Sequence, residues 1–162
     1  MLVANDHSGN DSLNQNAIVL SNGRARILCV DDDEDTRQML TTLLKFSRIE
    51  TESVGTAAQA LSLIQAERFD LYLLDAWLPD LDGFELCRRI RSIDPHTPIL
   101  FYSGAAYDAD KKRGIEAGAD AYITKPEIDG LLASITQFVS QAVSAAVPKF
   151  RSDAHQRCLS SK

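Results

Sequence analysis

Ile27-Leu28-Cys29-Val30-Asp31-Asp32-Asp33 decides how this chain is read. Four apolar residues in a row, too few for a helix core, suit a strand buried on both faces of a parallel sheet. Three carboxylates follow at once. The same grammar returns at Leu71-Tyr72-Leu73-Leu74-Asp75, at Ile99 to Tyr102 before Ser103-Gly104, and at Ala121-Tyr122-Ile123-Thr124 before Lys125-Pro126. A weaker strand candidate lies near Ile49 to Val54.

Helical patterns fill the intervals. One runs through Met39, Leu40, Leu43 and Leu44. A second carries Ala57, Ala60, Leu61 and Ile64, with Thr56 placed to cap it. A third follows Gly83 through Leu86 and Ile90, and a polar fourth spans Asp108 to Glu116. The clearest is the fifth, where Ile128, Leu131, Leu132, Ile135, Phe138, Val139 and Val143 share one face and Pro148 marks the end. Five strands alternating with five helices predict an α/β fold, a doubly wound five-stranded parallel sheet in a three-layer sandwich. Ligands of such sheets bind beyond the carboxyl ends of the strands, where the strand order reverses. If the sheet is parallel, Asp31, Asp32, Asp75, Ser103 and Lys125 meet at that edge.

Clustered carboxylates repel one another and call for a cation. Hard oxygen ligands suit Mg2+, which keeps waters and is often completed by a phosphate. An Asp carboxylate can also act as a nucleophile and form an aspartyl phosphate. Phosphoryl transfer mainly requires positioning and charge stabilisation, which an ammonium and a hydroxyl can supply.

These segments resemble the response-regulator receivers. The resemblance rests on Ile27 to Asp35, on Leu73-Leu-Asp-Ala-Trp-Leu-Pro-Asp-Leu-Asp-Gly-Phe-Glu-Leu, on Pro98 to Ala105 and on Gly118 to Pro126. It covers about residues 25 to 145. It implies a flavodoxin-like (CheY-like) fold and a set of roles. Asp75 would be the phosphoacceptor. Asp31 and Asp32, with Asp75 and the backbone carbonyl of Trp77, would hold Mg2+, in part through water. Ser103 and Lys125 would contact the phosphoryl group, and Tyr122 would turn inward on activation. It further implies a cis Lys125-Pro126 bond. Partners would be a sensor histidine kinase or histidine phosphotransfer protein and a downstream protein target, in the cytoplasm, with homodimerisation open.

Some readings stay double at this point. Asp33 could extend the acidic cluster, but is expected to face solvent or cap the first helix. Tyr122 is either a switch or a half-buried strand aromatic. Glu127 stands where the family often has an aromatic, so the partner surface is expected to be atypical. The main alternative function is a phosphate-independent, receiver-like interaction module. A calcium loop from Asp31 to Thr42 lacks Gly at its sixth position and Glu at its twelfth. An Asp-nucleophile phosphatase signature fits neither Asp31 nor Asp32, and a flavin phosphate would be repelled by the acidic run.

The remaining chain sets bounds. The formal net charge is −6, from 17 Lys+Arg and 23 Asp+Glu, which argues against non-specific nucleic-acid binding and against docking on anionic membranes. No apolar run reaches the roughly 20 residues of a membrane span. Cys29, Cys87 and Cys158 fit no disulfide framework or zinc site, so reduced thiols are expected. Residues 1–24, rich in Asn and Ser, read as a flexible arm or a short docking segment around Ala17 to Leu20. Residues 146–162 read as a short basic tail, too short for an output domain, so a stand-alone receiver is expected.

Overall fold

The computed structural model describes residues 24–146, with side chains as far as 141. The arm and tail readings, with Pro148 and Cys158, fall outside them. The elements are β1 (Arg26–Val30), α1 (Glu34–Phe46), β2 (Glu50–Val54), α2 (Ala57–Ala66), β3 (Leu71–Leu74), α3 (Gly83–Ile93), β4 (Ile99–Ser103), α4 (Asp108–Glu116), β5 (Ala121–Thr124) and α5 (Ile128–Ala146). The strands form one sheet in the order β2-β1-β3-β4-β5. All four pairings are parallel.

Alternation along each strand divides the core. Ile27, Cys29, Leu71, Leu73, Leu100 and Tyr102 pack with Leu40 and Leu44 of α1 and Leu131, Ile135 and Val139 of α5. Leu28, Val30, Tyr72, Leu74, Ile99 and Phe101 pack on the other face with Ala60 and Ile64 of α2 and Phe84, Leu86 and Ile90 of α3. Burial on both faces is why β1, β3 and β4 read as unbroken apolar runs. β2 reads weakly because it is an edge strand: its sequence Glu-Thr-Glu-Ser-Val is partly exposed throughout.

Helix starts follow local capping chemistry. Asp33 accepts a hydrogen bond from the Thr36 amide at 3.0 Å and caps α1, which settles its double reading. The Thr56 hydroxyl accepts from the Gln59 amide at 3.3 Å, the expected cap of α2. The first N–H groups of α2, those of Ala57 and Ala58, instead donate to the two carboxylate oxygens of Asp80, each at 2.9 Å. Burial would raise the Asp80 carboxyl, but these amides hold it below its ordinary value.

The strand order reverses between β1 and β3. Val30 is registered with Leu74 there, so Asp31 and Asp75 leave the sheet side by side. Ser103 is registered with Thr124, which brings Lys125 to the same edge. Among the described residues no helix is long and apolar enough to cross a membrane.

Candidate functional site

The site is built from the residues that follow three strands. Asp31 and Asp75 are buried, with 2% and 6% of their surfaces exposed. Lys125 reaches between them. Its Nζ lies 2.7 Å from Asp31 Oδ2 and 3.3 Å from Asp75 Oδ1. The Lys125-Pro126 peptide is cis, as expected. The remaining oxygens meet the backbone: Asp31 Oδ1 accepts from the Asp33 amide at 3.0 Å, and Asp75 Oδ2 accepts from the Trp77 amide at 2.9 Å. Asp32, one residue further along, is exposed to solvent.

Both members of the short ion pair hold their protons more tightly than usual. Burial raises the Asp31 carboxyl, and Lys125 only partly counters it. Burial would lower the Lys125 ammonium, but the bond to Asp31 and the charge of Asp75 outweigh it and raise it. Burial is thus the leading cause at Asp31 but opposes the rise at Lys125, and the charge of Asp75 raises both. Two buried carboxylates face one ammonium. Among the described residues no three carboxylate, His or Cys side chains gather closely enough to hold a metal by themselves. A cation here therefore needs backbone oxygen or water as well, which is the coordination Mg2+ prefers. The donor set and the charge deficit fit a hard divalent cation.

The raised Asp31 carboxyl has a consequence for stability. Between its ordinary and its raised value, the unfolded chain has released the proton and the folded chain keeps it. Stability then falls as pH rises through that window, and the ionised group remains unfavourable to the fold above it. We expect Asp31→Asn to melt higher than the parent at neutral pH without divalent cations. The gain should shrink below the ordinary carboxylate range. Thermal unfolding followed by circular dichroism across pH checks it; a lower midpoint at neutral pH contradicts it.

Ser103 and Tyr122 meet at one residue. Ser103 is buried, and its Oγ accepts from the Ala105 amide at 3.3 Å. The Tyr122 hydroxyl donates to the Ala105 carbonyl at 2.8 Å. The Tyr122 ring lies inward, stacked on Phe101 with centroids 5.4 Å apart. Gly114 of α4 permits this, since a Cβ there would lie 2.7 Å from the ring. Trp77 is 57% exposed at the mouth of the site.

Sequence reasoning singled out neither Arg37 nor the flanking ties of the loop that follows Asp75. Arg37 Nη1 donates to the carbonyls of Asp31 and Asp32 at 2.7 and 3.0 Å. Asp82 caps α3 through the Phe84 amide at 2.8 Å and pairs with Arg113 of α4 at 3.0 Å. Arg113 also stacks over the Phe84 ring at 4.3 Å. The turn at Asp82-Gly83 was legible; partners more than twenty residues away were not.

The family model for the response regulator receiver domain matches residues 27–136. The chain belongs to the receiver-domain family of response regulators. Among relatives, the receiver resembles the DNA-binding response regulator MtrA of Mycolicibacterium paratuberculosis, 41% identical over 103 residues, covering 64% of this chain and 45% of that protein. It also resembles the response regulator MprA of Mycobacterium leprae, 38% identical over 111 residues, covering 68% of this chain and 49% of that protein. The chain thus spans about half the length of the curated relatives it matches. A CheY-like receiver domain protein from Methanospirillum hungatei superposes with a TM-score of 0.72 at 33% identity, covering 76% of this chain and 99% of that one. The flavodoxin-like, doubly wound sandwich is the fold these receivers share with this chain.

Proposed function

We propose that this receiver accepts a phosphoryl group on a carboxylate oxygen of Asp75 from the phosphohistidine of a sensor histidine kinase or histidine phosphotransfer protein. The observation that carries the reading is Lys125 Nζ, poised between Asp31 and Asp75 at the carboxyl ends of β1 and β3. The Asp75 oxygen attacks phosphorus, a P–O bond forms, the P–N bond to imidazole breaks, and the imidazole keeps the electron pair. Asp31, Asp32, Asp75 and the Trp77 carbonyl would hold Mg2+, in part through water, and the ion would supply positive charge to the phosphoryl oxygens. Lys125 supplies the second positive charge and can follow the phosphoryl group while remaining tied to Asp31. The Trp77 amide steadies the oxygen of Asp75 to which it donates.

The switch is local. A phosphoryl group on Asp75 offers acceptor oxygens to the Ser103 hydroxyl. Because Ser103 and Tyr122 both bond to Ala105, a move of one is felt by the other. Gly104, between Ser103 and Ala105 in sequence, has open space at its Cβ position. A population shift of this loop and α4 changes affinity for a downstream protein. The receiver assists its own phosphorylation and dephosphorylation and is not a metabolic enzyme. The net charge of −6 favours protein partners over nucleic acid for this chain; the DNA-binding name belongs to a longer relative, of which the match covers 45%. Cytoplasmic placement follows from that kinase partnership and agrees with buried, unpaired Cys29 and Cys87. The phosphate-independent module is disfavoured because the acidic, basic and hydroxyl positions are all filled.

We infer that the large side chain of Trp77, two residues after Asp75, shields an acyl phosphate there from water. Trp77→Asn should lose the phosphoryl group several-fold faster after the donor is removed, with phosphorylation itself retained. Decay of the phosphorylated mass with time checks this; equal decay rates contradict it. Phosphorylation by acetyl phosphate, treated in the Discussion, tests the reading as a whole.

A further inference from the structure

We propose that Arg37 is a positioning residue for the acidic pair, setting how Asp31 and Asp32 present their carboxylates to a divalent cation. The inference rests on the reading that these carboxylates hold Mg2+.

Arg37 lies in the first turn of α1, six residues after Asp31. Its Nη1 donates to two consecutive carbonyls, those of Asp31 at 2.7 Å and Asp32 at 3.0 Å. These peptide units carry the chain from β1 into α1. Fixing their carbonyls fixes the ψ angles of both residues, and with them the direction in which each side chain leaves the backbone. The other side of Asp31 is already tied, since its amide donates to the Val54 carbonyl at 3.1 Å. Arg37 closes the open side. It also spans the gap to the end of β2: a Cβ at Gly55 would lie 3.3 Å from Arg37 Nη1, so glycine there leaves room for the guanidinium.

The same side chain carries a positive charge beside a cation site, and the two roles have opposite signs. As a charge, Arg37 repels Mg2+, and its loss should tighten binding. As a holder, its loss should loosen binding. The geometry favours the holder. The guanidinium faces the negative ends of two carbonyl dipoles, and Arg37 is only half-buried, so solvent and salt weaken its reach. Groups that orient metal ligands typically change affinity about 10- to 100-fold when removed.

The test is a titration of the 15N-labelled full chain with MgCl2, following amide shifts at Asp31, Asp32 and Trp77. Parent, Arg37→Met and Arg37→Lys are compared, each checked as folded by far-ultraviolet circular dichroism. Arg37→Met should bind Mg2+ about tenfold more weakly. Arg37→Lys keeps the charge but stops short of the place Nη1 reaches, and should also bind more weakly. It decides the question alone if Arg37→Met does not fold. Unchanged or tighter binding in the variants, with the parent binding normally, overturns the role of Arg37 and leaves the site reading intact. A parent that binds no Mg2+ overturns both.

Discussion

Asp75→Asn should gain no phosphoryl group from acetyl phosphate under conditions in which the parent gains one in a Mg2+-dependent manner. The effect is expected to be complete because Asn lacks the nucleophilic oxygen, while the rest of the pocket persists. Asp31 and Asp32 are poor substitutes. Asp31 is buried, with one oxygen held at 2.7 Å by Lys125 and the other at 3.0 Å by the Asp33 amide, so neither is free to attack. Asp32 stands outside the buried pair. Asn at position 75 can still accept from the Trp77 amide through its side-chain oxygen, so the loop should keep its course. Intact mass with and without Mg2+, on parent and variant, reads the result. A parent that gains the group without Mg2+, or a variant that gains it equally, contradicts the assignment.

Gly83→Ala should be the most damaging of the conservative changes considered. Alanine in a helix is normally better than glycine by about 1 kcal/mol. Here the sign reverses. A Cβ at Gly83, the first residue of α3, would lie 2.1 Å from the Asp75 carbonyl oxygen and 2.9 Å from the Ala76 Cα. Those are backbone atoms, so no side-chain rotation relieves the contact. The Gly83 amide also donates to the Ala76 carbonyl at 3.0 Å, which ties the helix start to the segment it would have to leave. Overpacking of this kind costs roughly 1–3 kcal/mol, a fall in midpoint of roughly 5–10 °C for a domain of this size. Because the displaced carbonyl belongs to Asp75, phosphorylation should slow as well. Thermal unfolding and the rate of phosphoryl gain check both parts; a variant as stable as the parent contradicts the packing argument.

The main architecture was legible because burial is written in runs. β1, β3 and β4 are covered on both faces, and the amphipathic face of α5 from Ile128 to Val139 is long enough to show its period. β2 was faint because half of it faces solvent, and α4 because Gly114 is its single buried residue. Of the site, Asp75, Asp31 and Lys125 were legible as strand-end residues, and the fold brings them within hydrogen-bonding distance. The supporting residues were not legible. Asp80 reaches 23 residues back to Ala57, and Asp82 reaches 31 residues on to Arg113. Such partnerships leave no periodic trace along the chain. Arg37 was close in sequence but looked like any polar residue on the first turn of an acidic helix. Its meaning lies in the two carbonyls it holds.

The buried carboxylate of Asp75 is proposed to receive the phosphoryl group. The most direct measurement locates that group. The phosphorylated chain is treated with borohydride, which reduces an acyl phosphate to an alcohol, and the peptides are sequenced by fragment mass. Homoserine in place of aspartate at position 75, with Asp31 and Asp32 unmodified, is the expected result. Reduction at Asp31 or Asp32 with Asp75 intact, or a phosphoryl group retained on a serine, would contradict it.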